Sequence, residues 1–361
     1  MAGTTTVRVP AAVRADERGP GPRGPRRPPL AVLVVTGLVV LVVSLLVTVT
    51  IGPAGLGVGE VARVVGHHLG LVGDVPTLHD AIVWDLRAPR VLTAAAVGAG
   101  LAVAGAVMQS LTRNPLADPY LLGLSSGASL GAVAVLVVGV SLLLPVAAFV
   151  GAVAALVATL ALARTGGSVT PTRAVLAGLA VSQLAAAATS FVIFWTATGD
   201  SYREILSWLL GSLAGATWPS VAIAGGALLV VGSVVLVTGG RLDAFAFGDT
   251  AAAALGIDVD RTRWTLMTLV ALLTGAMVAV SGAIGFVGLV LPHAVSVVTG
   301  PTHRRLLPVA ALTGATFLVW ADTLARTVFA PRELPVGIVT ALVGVPVFAV
   351  LLRRGRGTAW S

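Results

Sequence analysis

The chain has 361 residues, 57% of them apolar and only 11% charged, and a mean hydropathy of +0.99, which excludes a soluble domain and predicts a polytopic membrane protein. Its 23 basic residues, all arginine, outnumber 15 acidic ones, but they lie scattered between apolar runs and do not form the basic face of a nucleic-acid-binding protein. Because lysine and cysteine are both absent, a Walker A nucleotide site, disulfide bonds and thiolate metal sites are also excluded.

The amino-terminal segment 1–29 holds six arginines and several prolines, and it is predicted to be a disordered tail. Residues 30–51 are continuously apolar and long enough to cross the hydrocarbon layer, which predicts an uncleaved first span. Arg26 and Arg27 resemble a twin-arginine signal. The prolines that follow them and the length of the apolar run favour a span instead.

The longest polar interval, 52–89, is predicted to lie outside the membrane and has a helical pattern at 58–69. Nine further spans are predicted at about 91–111, 120–139, 145–163, 173–197, 218–238, 264–282, 284–298, 306–328 and 336–352. The segment 30–354 is therefore predicted to be one all-α transmembrane domain of ten helices, followed by a short tail at 355–361.

The arginines also predict the orientation of the chain. Ten spans place both termini on one side, and seventeen of the 23 arginines lie on that side against six on the other. By the positive-inside rule both termini are predicted to be cytoplasmic, in a multi-pass protein of a bacterial cell membrane.

The spans are rich in glycine and alanine, as at Gly98, Gly105, Gly127 and Gly131. Helix association in lipid depends on the close backbone approach that small residues permit. The GxxxG spacing of Gly127 and Gly131 therefore predicts tight packing within one subunit, in preference to a dedicated dimer motif.

Ionisable residues inside the spans are few. Asp322 and Arg326 stand four apart on the ninth span, where they are predicted to pair and to fix the outer end of that helix. The alternative is that Arg326 presents its charge to a partner. No acidic or histidine relay crosses the bilayer, which disfavours an ion-coupled carrier.

A weakly polar stripe on the fifth span either lines a pathway or bonds between helices; its residues are Ser182, Gln183, Thr189 and Ser190. His67, His68 and His79 in the outer interval raise the possibility of a zinc site. Two adjacent histidines are poor geometry for joint ligation from a helix, so they are predicted to be solvated, and neither a metal nor a cofactor is expected. His293 is predicted to be structural.

The segment 241–263 between the sixth and seventh spans, RLDAFAFGDTAAAALGIDVDRTR, is predicted to contain a short surface helix at 250–255. Asp249 is predicted to cap this helix and Gly256 to end it. An ordered, charged segment of this kind suits the docking of another protein, although it is also compatible with a plain connector.

Four sequence blocks carry a family resemblance: LRAPRVL at 86–92, GAVMQSLTRNPLADPYLLGLSSGASLG at 105–131, FGDTAAAALGIDV at 247–259, and GFVGLVLPH, GPTHRRLLP and ELPVGIVTALVGVPVF within 285–348. In this order and spacing, the chain from about 30 to 354 resembles the FecCD-type permeases. These are the membrane subunits of ABC importers for iron siderophores, haem and cobalamin. The resemblance implies two permease subunits, a pair of ATPase subunits and an extracytoplasmic binding protein.

The resemblance also implies roles for particular residues. Arg87, Arg90 and Arg326 match the arginines that meet acidic residues of the binding protein, so all three are predicted to lie exposed at the outer surface. The segment 247–258 matches the coupling helices seated on the ATPase, with Phe247, Gly248, Asp249, Leu255, Gly256 and Asp258. The loop 114–119 resembles the cytoplasmic hairpin of the family, and Ser296 stands where the family usually has an arginine.

The function that the resemblance implies is import of a ferric siderophore or related large chelate, without catalytic residues in this chain. The second permease subunit is expected to be a copy or a paralogue. The alternatives are haem or cobalamin as cargo, a carrier driven by an ion gradient, and a membrane scaffold or receptor.

Overall fold

The computed structural model describes residues 28–355 except 53, 165–169, 197–198 and 246, so the predicted tails lie almost entirely outside the described residues. The described part is all-helical. Its fourteen helices are α1 (Leu30–Thr50), α2 (Val58–His68), α3 (Thr77–Thr112), α4 (Leu124–Val138), α5 (Leu144–Ala163), α6 (Pro171–Thr196), α7 (Gly199–Leu209), α8 (Trp218–Val237), α9 (Gly239–Phe245), α10 (Asp249–Ala254), α11 (Val259–Ser281), α12 (Val287–Thr299), α13 (His303–Thr327) and α14 (Val336–Gly355). This confirms the all-α prediction.

The ten predicted spans each coincide with an apolar helix of the described chain. Seven helices, α1, α3, α5, α6, α8, α11 and α13, are long and apolar enough to cross a membrane, and α4, α12 and α14 are shorter apolar helices. Several starts differ from the prediction: α4 begins only after a 3-10 turn at Pro119–Leu122, α12 begins at Val287 instead of residue 284, and α11 begins earlier, at Val259 instead of residue 264.

Helix α3 is the centre of the bundle, and its part Ala88–Thr112 is almost wholly buried. Helices α13, α11, α12 and α8 pack around it. The helix starts at Thr77, well before the predicted residue 91, because a π-helical turn at Ala81–Arg87 changes the hydrogen-bond register just ahead of Pro89.

Glycines set the distances between the central helices. A Cβ atom on Gly105 of α3 would lie 1.9 Å from the carbonyl oxygen of Gly288 in α12, and one on Gly98 would lie 2.2 Å from the carbonyl oxygen of Gly314 in α13. A Cβ on Gly127 would lie 2.4 Å from the Gly151 carbonyl oxygen. The prediction that small residues serve packing within one subunit is therefore confirmed.

The two ends of α1 define the two faces of the bundle, which we call the Leu30 face and the Thr50 face. Helix α1 runs parallel to α13 and contacts it along one narrow stripe, where Trp320 Nε1 donates to Ser44 Oγ at 2.9 Å. On the Thr50 face, α2 packs through Val61 and Val64 onto Val83. Helices α9 and α10 lie at the Leu30 face, since Ser110 Oγ near the end of α3 donates to the carbonyl oxygen of Leu242.

Candidate functional site

A buried ion-pair network lies near the Thr50 face. Arg90 of α3 donates through Nε to Asp322 Oδ2 at 2.8 Å and through Nη2 to Asp322 Oδ1 at 2.9 Å. Its Nη1 donates to Glu333 Oε2 at 2.7 Å. The bidentate geometry of the Asp322 contact is the strong form of an arginine–carboxylate interaction. Together the two carboxylates fasten α13 and the loop before α14 to the central helix.

Two further buried arginines hold the end of α1. Arg87 Nη1 donates to the carbonyl oxygens of Val49 at 3.0 Å and Thr50 at 3.2 Å, and Arg326 Nη2 donates to the carbonyl oxygen of Thr48. The last carbonyls of a helix have no partner within it, and its carboxyl end carries partial negative charge. The two guanidinium groups therefore donate hydrogen bonds to the carbonyl oxygens at the end of α1, which would otherwise have no partner.

The prediction that these arginines lie exposed at the surface is wrong, since Arg87, Arg90 and Arg326 are only 6%, 8% and 6% exposed. The predicted pair of Asp322 with Arg326 is also wrong, because Arg90 from another helix presents its planar fork to both oxygens of Asp322. A role of the three arginines in docking stays a prediction.

The histidines of the outer interval belong to a small packed cluster. His68 Nε2 lies 2.7 Å from Asp80 Oδ1, and its ring stacks on Trp84 with 3.9 Å between the ring centroids. His68 nevertheless lies exposed, as a solvated side chain is expected to, although Trp84 covers one face of its ring. No group of three His, Asp or Glu side chains in the described ranges is arranged to hold a metal ion.

The short helix α10 at the Leu30 face begins at Asp249, so Gly248, with φ +93°, is the N-cap residue and the predicted cap Asp249 is not. Asp249 Oδ1 instead accepts a hydrogen bond from Arg263 Nη2 at 2.8 Å. Arg263 is buried and lies over the ring of Phe245, 5.6 Å from its centroid. Gly256 ends the helix with φ +79°, as predicted.

Two large apolar side chains flank α10 and lie on the surface: Phe247 is 80% exposed and Leu255 is 70% exposed. Asp258 caps the next helix, since its Oδ1 accepts a hydrogen bond from the backbone N–H of Arg261 at 3.0 Å. The segment 247–258 is thus a charged platform that presents apolar groups outward.

The hairpin that follows α3 lies beside α10, because a Cβ on Gly248 would be 3.2 Å from Arg113 Nη1. Arg113 itself turns the chain with φ +48°. Asp118 Oδ1 accepts a hydrogen bond from the Tyr120 backbone N–H at 2.8 Å, and burial raises the pKa of Asp118 to about 6. The hairpin and α10 together form the Leu30-face surface.

The predicted polar stripe of α6 is split between two sides of the helix. Gln183 and Ser190, seven residues apart, are exposed, and Ser182 is half-buried. Thr189 is buried, with its Oγ1 donating to the carbonyl oxygen of Ala185 at 2.8 Å. Thr189 therefore packs into the bundle, whereas Gln183 and Ser190 lie exposed, and a role of the stripe in a pathway stays a prediction.

Two charged residues of these sites were missed from the sequence. Arg263 stands near the start of an apolar span, and a charge in that position is itself a signal that a partner is needed. Glu333 follows a loop and carries no local signal, since its partner Arg90 is 243 residues away.

Comparison with known proteins agrees with this architecture. Residues 38–354 match the family model described as the FecCD transport family. The cobalamin import system permease protein BtuC of Halobacterium salinarum is 46% identical over 286 residues, 77% of this chain and 75% of the relative. The hemin transport system permease protein HmuU of Yersinia pestis is 44% identical over 283 residues, 76% and 84% of the two chains.

The Fe(3+) dicitrate transport system permease protein FecD of Escherichia coli is 42% identical over 281 residues, 77% of this chain and 87% of the relative. Among solved structures, a metal-chelate type ABC transporter in an inward-facing conformation has a TM-score of 0.80 at 30% identity, and the match covers 90% of this chain and 99% of that one. The family match, the relatives and the fold agree: the chain belongs to the FecCD transport family and is a permease subunit of an ABC transporter.

Proposed function

We propose that this permease imports a ferric siderophore or a similar large iron chelate, delivered by an extracytoplasmic binding protein and driven by a separate pair of ATPase subunits. The observation that carries the proposal is the family match over residues 38–354. An iron chelate is favoured because one relative is named for ferric dicitrate and the similar solved structure for a metal chelate. The relatives named for hemin and cobalamin keep those cargoes as the alternatives.

The test is transport by the complete importer in proteoliposomes, assembled from the permease with its binding protein and ATPase. Radioactive iron in several siderophores, haemin and cyanocobalamin are offered at equal concentration. ATP-dependent accumulation is expected for a ferric siderophore alone. Accumulation of haemin or cobalamin without any siderophore would assign the cargo to that alternative.

A carrier driven by an ion gradient is disfavoured by the charges of the spans. Asp322 is the only acidic residue within the ten predicted span ranges, and Arg90 occupies both of its carboxylate oxygens. A carboxylate held in this way is poorly suited to load and release a coupling ion. Uptake that needs no ATPase and stops at once with a protonophore would reverse this conclusion.

We infer that the Leu30 face is cytoplasmic, as the arginine distribution predicts. Arg113, Arg241 and Arg304 all lie exposed toward that face. The positive-inside rule assigns such a face to the cytoplasm, where the ATPase subunits bind.

We propose that Phe247 and Leu255 dock the ATPase and that the Asp249–Arg263 pair holds α10 against the bundle so that ATPase closure moves the spans. Phe247→Ser with Leu255→Ser is expected to lower transport-linked ATPase stimulation by about tenfold or more, because exposed apolar groups of this size mark contact surfaces.

Gly256→Pro is expected to lower this stimulation similarly, since proline cannot adopt the φ of +79° found there. Leu71→Ser, at an exposed leucine of the Thr50 face, is the matched control. Equal stimulation in all four proteins would remove the coupling role.

We propose that Gln183 and Ser190 face the route between two permease subunits. Gln183→Cys and Ser190→Cys, in this cysteine-free chain, are expected to react with a charged thiol reagent. Thr189→Cys on the same helix is the control and is expected to be unreactive, because its side chain is buried. Reaction at Thr189 alone, or at none of the three, would show that the exposed side of α6 faces lipid or a packed partner.

We propose that the binding protein docks near Arg87, Arg90 and Arg326. Arg87 is the residue to test, because its side chain contacts only backbone oxygens and no carboxylate of this chain. Arg87→Gln is expected to weaken the affinity for the binding protein by less than about fivefold, the upper limit for one surface ion pair, because Arg87 is only 6% exposed, and to reduce the salt dependence of binding. The measurement is affinity in nanodiscs across a salt series. A lowered unfolding temperature with unchanged affinity would limit Arg87 to holding α1.

A further inference from the structure

The chain leaves helical structure between α11 and α12. Residues 282–286 are not helical, and Gly282 and Phe286 at the two ends have φ of +66° and +69°. A phenylalanine in the left-handed region is uncommon and costs energy, so the surrounding structure holds this break in place.

The break lies deep in the bundle and not at one of its faces. A Cβ on Gly288, just after the break, would lie 3.0 Å from the carbonyl oxygen of Leu101, near the middle of α3. On the other side, a Cβ on Gly344 near the middle of α14 would lie 2.6 Å from Phe286 Cβ. The irregular segment therefore stands at membrane depth.

Only some of the backbone N–H and C=O groups of this segment form hydrogen bonds with residues that the structure describes. Ile284 presents its carbonyl oxygen to Tyr120 Oη, which donates at 3.0 Å. The backbone N–H groups of Ala283, Ile284 and Gly285 donate no hydrogen bond to any residue that the structure describes. Polar groups of this kind are not tolerated against lipid, so irregular backbone at membrane depth must be buried with partners or line a water-filled cavity.

Exposure within the segment distinguishes these two cases. Ile284 is buried, but Ala283 and Gly285 on either side are partly exposed. A Cβ on Gly285 would have no atom within 4 Å. Open space therefore lies directly beside unpaired amide groups.

We propose that residues 283–285 form a wall of the water-filled cavity through which the cargo passes, an inference that rests on the proposed import function. The wall is uncharged and its exposed side chains are small. It offers hydrogen-bond donors from the backbone without a bulky or charged group, which suits passage of a large chelate without tight retention.

The test uses Gly285→Cys in the full-length, cysteine-free chain, assembled with its ATPase in nanodiscs, and the cationic thiol reagent MTSET. Gly285 does not have positive φ, so cysteine fits the backbone there. Ala283→Cys is a second, more conservative reporter. Ile284→Cys, in the same segment but buried, and Val39→Cys, exposed in the middle of the peripheral helix α1, are the controls.

Cysteines at 285 and 283 are expected to react at least about tenfold faster than those at 284 and 39, because the charged reagent follows water and not lipid. Reaction rates that match the two controls in every nucleotide state would overturn the proposal and indicate that a partner subunit covers the segment.

Labelled Gly285→Cys is also expected to lose most of its cargo uptake; full uptake after complete labelling would likewise overturn the pathway assignment. An unlabelled importer that moves no siderophore would count against the proposed function alone, since the labelling rates do not depend on the cargo.

Discussion

Asp322→Ala is expected to destabilise the protein by about 3 to 5 kcal/mol, the usual cost of leaving one partner of a buried ion pair without the other. The variant would leave the buried guanidinium of Arg90 with only Glu333, whose side chain is 44% exposed. The measurement is the thermal unfolding midpoint in detergent, with the free energy of unfolding from denaturant titration where unfolding is reversible.

Glu333→Gln is the matched control for this prediction, because it changes the other carboxylate that contacts Arg90. An interaction with a partly exposed group contributes only about 0 to 1 kcal/mol, so this variant is expected to be mild. The double variant Arg90→Met with Asp322→Leu is expected to recover part of the loss, since neither charge of the Arg90–Asp322 pair then remains buried without its partner. If Asp322→Ala and Glu333→Gln lowered stability equally, the bidentate pair would not be the stabilising contact.

Gly105→Ala is expected to cost the protein most of its folded yield, although the change adds a single methyl group. The new Cβ would lie 1.9 Å from the Gly288 carbonyl oxygen, far inside van der Waals contact, and its neighbour is backbone that cannot turn aside. Helices α3 and α12 would have to separate, and overpacking of this kind typically costs about 1 to 3 kcal/mol or more. The measurement is the monodisperse fraction and unfolding temperature after solubilisation.

The control for Gly105 is Gly226→Ala on α8, where a Cβ would meet no atom within 4 Å. Alanine is the better helix former by about 1 kcal/mol, so this variant is expected to be neutral or slightly stabilising. Comparable losses from both variants would mean that glycine content and not the α3–α12 contact sets the sensitivity.

The two predictions concern the same central helix at different depths. Arg90 fastens α3 to α13 and to Glu333 near the Thr50 face. Gly105, further along α3 toward the Leu30 face, sets the distance between α3 and α12. The irregular segment 282–286 immediately precedes that contact with α12. The position of the proposed cavity wall therefore depends on how closely α12 approaches α3.

Most of the fold was predictable from the sequence because hydropathy is a property of each segment by itself. An apolar run of sufficient length predicts a span wherever it packs, and all ten predicted spans coincide with apolar helices. The same local character explains why Gly256 was correctly predicted to end α10 and why Gly127 and Gly131 were correctly predicted to pack closely within one subunit.

The charged contacts were not predictable, because they join distant parts of the chain. Local spacing pairs Asp322 with Arg326, but Asp322 binds Arg90, 232 residues away. Arginines at the ends of spans ordinarily extend to the water interface, whereas Arg87 and Arg326 turn inward to the carbonyl oxygens of α1.

Hydropathy placed a boundary between two spans at residue 283 but gave no sign that the break at 282–286 lies at membrane depth, since an apolar segment scores the same whether it is helical or extended. By itself the sequence determined which segments lie in the membrane and where small residues permit contact. Only the tertiary structure decided which charges meet, which polar residues of α6 are buried, and where backbone leaves the helix at membrane depth, because each of these depends on groups that other helices supply.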